Sequence, residues 1–218
     1  MGMPVNNPSA KSTATNEERS EATRARLLAA ARRLFGRSGY AKTSVEELVR
    51  RGGVTKGAFY HHFEDKKAIF LAVLEEAQMR LAERCAAAAQ GDDAWQRAVA
   101  GCHGFLEACT DREIQQIILR DGPVVLGWET WREIDTRYAL GLLEVGLRDA
   151  MAGGFIRSRP TKPLVHLLFG ALCEGAMVIA RAKKPREALA TVTREVDELL
   201  EGMRVQNPLV GMPSGKVG

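Results

Sequence analysis

Apolar residues recur at intervals of three and four along nearly the whole of this 218-residue chain. Leu27, Ala31 and Leu34 follow that spacing near the start, and Val192, Val196 and Leu199 follow it near the end. Such spacing puts the apolar side chains on one face of a helix. Alternating β-branched runs, and hairpin turns between two strand-like segments, are missing from the sequence. The pattern therefore predicts an all-α protein of about nine helices.

Changes in composition divide the chain into four parts. Residues 1–18 are rich in Asn, Ser, Thr and Pro, which predicts a disordered arm, and residues 206–218 have the look of a frayed tail. Between them we expect a small three-helix domain over residues 19–66 and a larger helical domain over residues 67–205, which a long fourth helix opens. We expect the first helix over residues 20–38 and a single long helix over residues 128–151.

Charge is distributed unevenly between these parts. The formal net charge of the chain is +4, yet residues 1–67 carry 13 Lys and Arg against 7 Asp and Glu, and the remainder carries 18 against 20. The positive excess therefore lies in the first third, which suits a nucleic-acid-binding domain attached to a nearly neutral body.

Other sequence features indicate the cellular compartment and the state of the cysteines. The four cysteines lack close CxxC spacing, which favours buried reduced thiols over a metal or disulfide site. The start of the chain lacks the apolar core of a secretory signal. The most apolar run, residues 163–182, contains His166 and Glu174, which disfavours a membrane span. We therefore expect a cytoplasmic protein without membrane contact.

Residues 43–66 are the most informative stretch for function. Ser44 and Glu47 have capping-box spacing and predict the start of one short helix, which Gly52 and Gly53 end. Thr55 is a good N-cap for a second short helix, which carries Lys, Tyr and two His but little apolar surface. Two short helices joined by a tight turn, with donors on the second, point to double-stranded DNA.

Other interpretations of the same residues are weaker. His61 and His62 could bind a metal, but adjacent helical residues diverge by about 100° and no acidic or Cys ligand follows at i+3 or i+4. Tyr60 could be an ordinary core aromatic. No nucleophile–base pair or phosphate loop is apparent in the larger domain. We therefore expect that the protein is not an enzyme and that it binds no cofactor and no metal.

The stretch from Arg24 to Leu74 resembles the DNA-binding domain of the tetracycline-repressor (TetR) family. The resemblance rests on LLAAA with LF, GY, TSVEEL, GVTKGAFYHHF and DK, in that order. It departs from the common pattern at Val49 and Gly52, where alanine is usual, and at Lys67, where an acid is frequent. The later RDGPVVLGW segment looks like one subset of that family's ligand domains.

The resemblance implies a set of DNA contacts. It puts the second short helix in the major groove, with Phe59 and Phe63 turned to the core. The implied contacts with phosphates or base edges come from nine residues: Thr43, Ser44, Thr55, Lys56, Gly57, Tyr60, His61, His62 and Lys66.

The family likeness also implies a homodimer on a palindromic operator and release of DNA by a small molecule. Dimerisation would use residues 163–182, with small residues at Gly170, Ala171, Gly175 and Ala176, and residues 185–203; the alternative is that these helices only close the monomer core. The pocket for a hydrophobic effector would be lined by Phe105, Cys109, Gln116, Trp128, Trp131, Tyr138, His166, Phe169, Cys173 and Met177. The alternative is that the aromatic residues among them are ordinary core residues.

The leading hypothesis is therefore a homodimeric, ligand-released repressor. A TetR-like activator or ligand-independent regulator would carry the same DNA-binding motif. Two hypotheses from other functional classes are a helical enzyme and a protein-binding adaptor. The intact TKGAFYHHF run argues against an adaptor that has lost DNA contact.

Overall fold

The computed structural model describes residues 15–205 and is helical through almost all of that range. Three helices form the amino-terminal head: α1 (Asn16–Ser38), α2 (Val45–Gly52) and α3 (Lys56–His62). Thr15 begins α1 with a reciprocal cap, because its hydroxyl accepts from the Glu18 amide while the Glu18 carboxylate accepts from the Thr15 amide. Leu27, Ala31 and Phe35 form the buried face of α1.

A single helix, α4 (Lys66–Ala88), passes from the head into the body. Its cap is Asp65, whose carboxylate accepts from the Ala68 amide at 2.7 Å. Ile69 and Phe70 pack on the head, and Leu81 and Cys85 lie in the body core. The buried residues of head and body form one continuous apolar cluster, and α4 contributes side chains to it in both domains.

The rest of the body is a bundle packed on α4. Its elements are α5 (Ala94–Ala108), α6 (Arg112–Ile114), a π-helical segment (Gln115–Asp121), α7 (Gly122–Leu126), α8 (Trp128–Arg137), α9 (Ala139–Ala152), α10 (Thr161–Arg181) and α11 (Pro185–Glu201). An isolated antiparallel bridge between Ile156 and Arg204 fastens the loop after α9 to the end of α11. The all-α, two-domain prediction is confirmed.

Two predicted boundaries need correction. The first helix begins at Asn16 rather than residue 20, because the Thr15 cap satisfies the first turn, so residues 16–18 do not belong to the predicted arm. Residues 1–14 of that arm and the predicted tail, 206–218, lie outside the described residues. The helix expected over residues 128–151 is two helices, because Tyr138 leaves helical geometry with φ −120° and ψ −107°.

One carbonyl of the π-helical segment has no backbone donor. In a π-helix the Ile118 carbonyl would accept from residue 123, but Pro123 has no N–H to give. The indole Nε1–H of Trp131 fills that position and donates to the Ile118 carbonyl at 2.9 Å. A buried carbonyl is thereby satisfied by a side chain of α8, which locks α8 against the π-helical segment.

Helix α10 has two apolar faces. One face, with Val165, Phe169, Leu172 and Ile179, is buried in the bundle. The other exposes Leu167 at 75% and Val178 at 49% of their surface. Among the described residues, α10 is the one helix long and apolar enough to span a membrane by composition, but its buried face makes it a core helix of the bundle.

Candidate functional site

The geometry of α2 and α3 follows from two caps and one glycine. Ser44 accepts from the Glu47 amide at 3.1 Å and begins α2, and Thr55 accepts from the Ala58 amide at 3.1 Å and begins α3. Between them Gly53 adopts φ +61° and ψ 41°, the left-handed conformation that a Cβ disfavours. The result is a tight turn that sets two short helices at an angle, as the sequence predicted.

Opposite faces of α3 have opposite environments. Phe59 is 0% exposed and Phe63 is 5% exposed, so the prediction that both face the core is confirmed. Tyr60 is 51% exposed, and Lys56 and His61 are exposed with it. Gly57 is also exposed, and a Cβ there would have only the Thr55 hydroxyl within 4 Å, at 3.9 Å. A polyanion can therefore approach the backbone of α3 closely.

Lys56 is already paired with a neighbour on α2. Its ammonium lies 3.1 Å from the carboxylate of Glu46, and both groups are exposed. The hydrogen bond and charge of Glu46 raise the pKa of Lys56, and a backbone hydrogen bond together with Lys56 lowers the pKa of Glu46. Lys56 is thus fully charged, and a phosphate would exchange with Glu46 at small cost because exposed ion pairs are weak.

His62 differs from the exposed residues beside it. It is half-buried, and its ring lies 5.0 Å from that of His61. Burial, His61 and Arg24 together lower the pKa of His62, so it offers a neutral imidazole at neutral pH. Across residues 15–205 no three His, Cys, Asp or Glu side chains gather in a way that could hold a metal ion.

Thr43 and Lys66 have internal partners that the sequence did not reveal. Thr43 is 2% exposed, and its hydroxyl donates to the Gly39 carbonyl at 2.9 Å. The Lys66 ammonium donates to the carbonyls of Tyr40 and Thr43 at 3.0 and 2.9 Å and lies 4.0 Å from the centre of the Tyr40 ring. Both side chains hold the loop between α1 and α2, and Lys66 retains one N–H for another partner.

A cavity of about 250 Å³ lies in the body between α4, α5, α9 and α10. Its walls are mainly apolar, with Arg97 and Asp149 as charged residues of the lining. Two of the predicted ligand-pocket residues, Phe105 and Phe169, line it, and their rings pack edge to face at 5.6 Å. Small side chains on α4 and α5, such as Ala86 and Ala98, leave the space open.

Two family models together account for most of the described chain. Residues 27–73 match the family described as bacterial regulatory proteins, tetR family, and residues 95–203 match the tetracyclin repressor-like C-terminal domain. The chain belongs to the TetR family.

Individual relatives agree with that assignment. A TetR-family transcriptional regulator from Pectobacterium atrosepticum is 33% identical, with a TM-score of 0.74 over 88% of this chain and 99% of that one. The transposon Tn10 TetC protein of Escherichia coli is 24% identical over 71% of this chain and 78% of its own. The transcriptional repressor AcnR of Corynebacterium glutamicum is 41% identical, but over only 28% of this chain and 32% of its own. The protein is a DNA-binding transcriptional regulator rather than an enzyme.

Most of the predicted ligand-pocket residues of this TetR-family body lie away from the cavity. Trp128 is 61% exposed at the start of α8, and Gln116 reaches to Gly39 in the head. Cys109 and Trp131 are buried without lining the cavity. Four further residues are half-buried and also outside it: Tyr138, His166, Cys173 and Met177. His166, Cys173 and Met177 are on the unbroken helix α10, so they lie outside the cavity because of how α10 packs and not because of a helix break.

A buried polar cluster between α4 and α8 was missed at the sequence level. Gln78 is 0% exposed and Asp135 1% exposed, and the Gln78 amide donates to Asp135 Oδ1. Asp135 Oδ2 lies 3.6 Å from Arg132, whose guanidinium carbon sits 4.6–5.5 Å from the ring centres of Trp128, Trp131 and Phe169. Burial raises the pKa of Asp135 to about 7, although Arg132 and Gln78 act in the opposite direction.

The π-helical segment also connects body and head. The Asp121 carboxylate accepts from the Tyr40 amide at 2.7 Å, and Tyr40 in turn stacks against Lys66. Glu113 of α6 pairs with Arg80 of α4 at 2.8 Å and lies 3.7 Å from Arg32 of α1. These contacts fix the loop that precedes α2 to the body.

The cysteines are unreactive by environment. Cys85, Cys102 and Cys109 are buried, Cys173 is half-buried, and all four are unpaired as thiols within the described structure. Burial raises the pKa of Cys85 to about 11, those of Cys102 and Cys173 to about 12, and that of Cys109 well above its ordinary value. Thiolate, the nucleophilic form, is therefore scarce at neutral pH.

Proposed function

We propose that this regulator is a cytoplasmic homodimeric repressor that leaves a palindromic operator when a small hydrophobic molecule enters the body. The observation that carries the DNA-binding part is the exposed face of α3. Lys56, Gly57, Tyr60 and His61 share that face, while Phe59 on the opposite face anchors the helix in the core. The α3 helix enters the major groove, and the caps of α2 and α3 hold it there.

The nine residues predicted to contact DNA divide by accessibility. Lys56, Tyr60 and His61 reach base edges or phosphates directly, and His62 does so from a half-buried position. Ser44 and Thr55 present hydroxyls and amides at the starts of α2 and α3, and Gly57 lets the backbone approach. Lys66 contributes its remaining N–H, and Thr43 acts by holding the loop rather than by touching DNA.

Dimerisation is supported by the second apolar face of α10. Leu167, Gly170, Ala171 and Val178 are exposed there, and Leu199 of α11 is 59% exposed. Gly175 and Ala176, also expected at the interface, pack inside the chain: a Cβ at Gly175 would lie 2.8 Å from Val192. A second copy of α10 and α11 would remove this apolar surface from water and place two heads on one operator.

Ligand release is supported by the cavity and by the shared helix. A cavity of about 250 Å³ can hold one substituted ring, since an engineered cavity of about 150 Å³ in another protein binds benzene. The cavity borders α4, which continues into the head. A ligand that shifts α4 therefore changes the separation of the two heads and weakens operator binding.

Operator binding tests the DNA-binding part. Sequences selected from random DNA should be palindromic, and fluorescence anisotropy should show binding that weakens steeply with salt. Lys56→Ala and Tyr60→Ala should each weaken binding about tenfold or more, whereas Lys162→Ala, an exposed cation at the start of α10, should leave it unchanged. Wild-type affinity in both α3 variants would overturn the contact assignment.

A charge on the exposed face of α10 tests the dimer. Leu167→Glu should convert the protein to a monomer in light scattering and abolish operator binding, while Met79→Glu, on the exposed side of α4, should remain dimeric. A dimeric Leu167→Glu protein would contradict the proposed interface. Transcript levels in a deletion strain would then separate a repressor, whose targets rise, from an activator, whose targets fall.

A further inference from the structure

Arg24 of α1 lies beside α3 but is not among the nine residues predicted to contact DNA. Its guanidinium carbon is 5.6 Å from the centre of the Phe63 ring, and the centre of the His62 ring is 6.5 Å from that same point. Phe63 caps the carboxyl-terminal end of α3. We propose that Arg24 binds a DNA phosphate beside His62, on the flank of α3 that faces α1. The proposal rests on the proposed entry of α3 into the major groove.

The packing of α1 holds Arg24 at this position. Leu27 and Leu28 follow Arg24 at three and four residues and are 0% and 5% exposed, so Arg24 lies on the core-facing side of α1, one turn before the core begins. Its stem can therefore cover Phe63 while the exposed guanidinium stays at the surface. The charge is thus held beside the end of α3 by an apolar contact.

The guanidinium of Arg24 is available to a new partner. Three other cations of the head, Arg32, Arg50 and Lys56, lie 3.7, 3.8 and 3.1 Å from a carboxylate. Within the described part of the chain Arg24 makes neither an ion pair nor a hydrogen bond, although Glu21 lies one turn before it. A phosphate can therefore bind Arg24 without displacing a carboxylate.

The two flanks of α3 receive their positive charge from different helices. Successive helical residues are about 100° apart, so Tyr60 and His62 lie about 160° apart, on opposite flanks of α3. Lys56, four residues before Tyr60, shares its flank and pairs with Glu46 of α2. The His62 flank faces α1, where Arg24 is the neighbouring cation. A cation therefore lies on each flank, one from α3 itself and one from α1.

DNA needs positive charge on both flanks. The major groove is about 12 Å wide, and a helix with its side chains is about 10–12 Å across, so each flank of α3 meets the phosphates of one strand. Burial, His61 and Arg24 lower the pKa of His62, so His62 is neutral at neutral pH and brings no charge to its flank. Arg24 is permanently charged, and its planar guanidinium can give two parallel N–H donors to a phosphate.

Salt dependence of operator binding tests the contact. With a duplex selected from random DNA, Arg24→Gln should weaken binding about tenfold or more and reduce the slope of log affinity against log salt by about two, since each head of a dimer loses one phosphate contact. Arg24→Met, which keeps a long stem over Phe63, should behave in the same way, and Arg24→Lys should retain most of the slope. Arg33→Gln is the matched control, because Arg33 is exposed nine residues later, on the opposite side of α1, and should change affinity by less than about twofold.

Two further measurements locate the contact. Uncharged methylphosphonate, placed at one phosphate of each half-site at a time, should weaken the wild type at the phosphate that Arg24 binds and have little further effect on Arg24→Gln at that phosphate. In the free protein, NMR titration should show a higher pKa of His62 in Arg24→Gln than in the wild type, because one of the cations that lower it is removed.

Three results would overturn the assignment: wild-type affinity and salt slope in Arg24→Gln, equal losses in Arg24→Gln and Arg33→Gln, or equal sensitivity of wild type and Arg24→Gln to methylphosphonate at every position. Each of these leaves operator binding by the wild type intact, so the repressor proposal would stand. A wild type that binds none of the selected DNA would overturn both proposals.

Discussion

The head and the body of this regulator place their polar side chains in opposite environments. In the head, Lys56 and Tyr60 are exposed, and a buried neighbour, Phe59, holds their helix in place. In the body, Gln78 and Asp135 are buried among apolar residues, and their partners come from a different helix. A surface that meets a polyanion can be built from one short helix, whereas a buried polar cluster must be assembled from several helices.

The largest expected effect separates the two faces of α3. Phe59→Ala should lower the free energy of unfolding by about 3–5 kcal/mol, because it empties a fully buried ring position. Tyr60→Ala, one residue along the same helix, should change stability by less than about 0.5 kcal/mol while weakening operator binding. Urea denaturation measures both, and equal losses of stability would contradict the assignment of buried and exposed faces.

The next effect concerns the buried carboxyl of the body. The pKa of Asp135 is about 7 in the folded protein against an ordinary value of 3.8, so the folded state binds a proton that the unfolded state releases. The free energy of unfolding should therefore decrease as pH rises from about 4 through 7, by on the order of 3 kcal/mol.

Asp135→Asn should remove most of that pH dependence. Its gain in stability over the wild type should grow from near zero at about pH 4 to its full size at about pH 8, because the amide carries no buried charge. Denaturation midpoints across this range provide the measurement, with Glu133→Gln as the control on the same helix. A wild-type pH profile in Asp135→Asn would mean that another group causes the dependence.

The same contrast explains how much could be predicted from the sequence. The caps at Ser44 and Thr55 and the glycine turn act within a few residues, so the two short helices were predictable from local chemistry, and the family resemblance implied the burial of Phe59. Asp135 stands in the charged run WETWREIDTR, where it has the appearance of a surface residue. It meets Gln78, 57 residues earlier, only because α8 packs on α4.

The interruptions of the body helices were hidden for a related reason. The Ile118 carbonyl of the π-helical segment accepts from the indole of Trp131, which comes 13 residues later in the chain and belongs to another helix. Eight of the ten predicted pocket residues lie outside the cavity, and three of them, His166, Cys173 and Met177, are on the unbroken helix α10. Periodicity predicts which residues share a helix face, but not which neighbouring helices that face meets.

A smaller effect is expected at the contact between the two regions. Asp121→Asn should weaken the hydrogen bond from the Tyr40 amide to Asp121, because an amide oxygen accepts less strongly than a carboxylate. We expect the Tyr40 amide to exchange with solvent roughly fivefold faster or more, corresponding to about 1 kcal/mol. Hydrogen exchange measures this, and the amide of Leu48 inside α2 serves as an internal reference. Unchanged exchange at Tyr40 would mean that other contacts hold this loop.

The smallest effect lies in the turn of the head and should be stabilising. Gly52 has ordinary helical geometry, and a Cβ there would meet Leu27, Arg26 and Val54 at 3.5–3.7 Å, which is normal van der Waals contact. Gly52→Ala should therefore raise the free energy of unfolding by about 0.5–1 kcal/mol, because alanine loses less conformational freedom on folding. Gly53→Ala is the matched control and should lower it, because φ is +61° at that position. Opposite signs at two adjacent glycines, measured by thermal unfolding, would show that α2 tolerates a better helix former up to the turn and no further. A loss of stability in Gly52→Ala would show instead that the contact between α1 and α2 is too close for a methyl group.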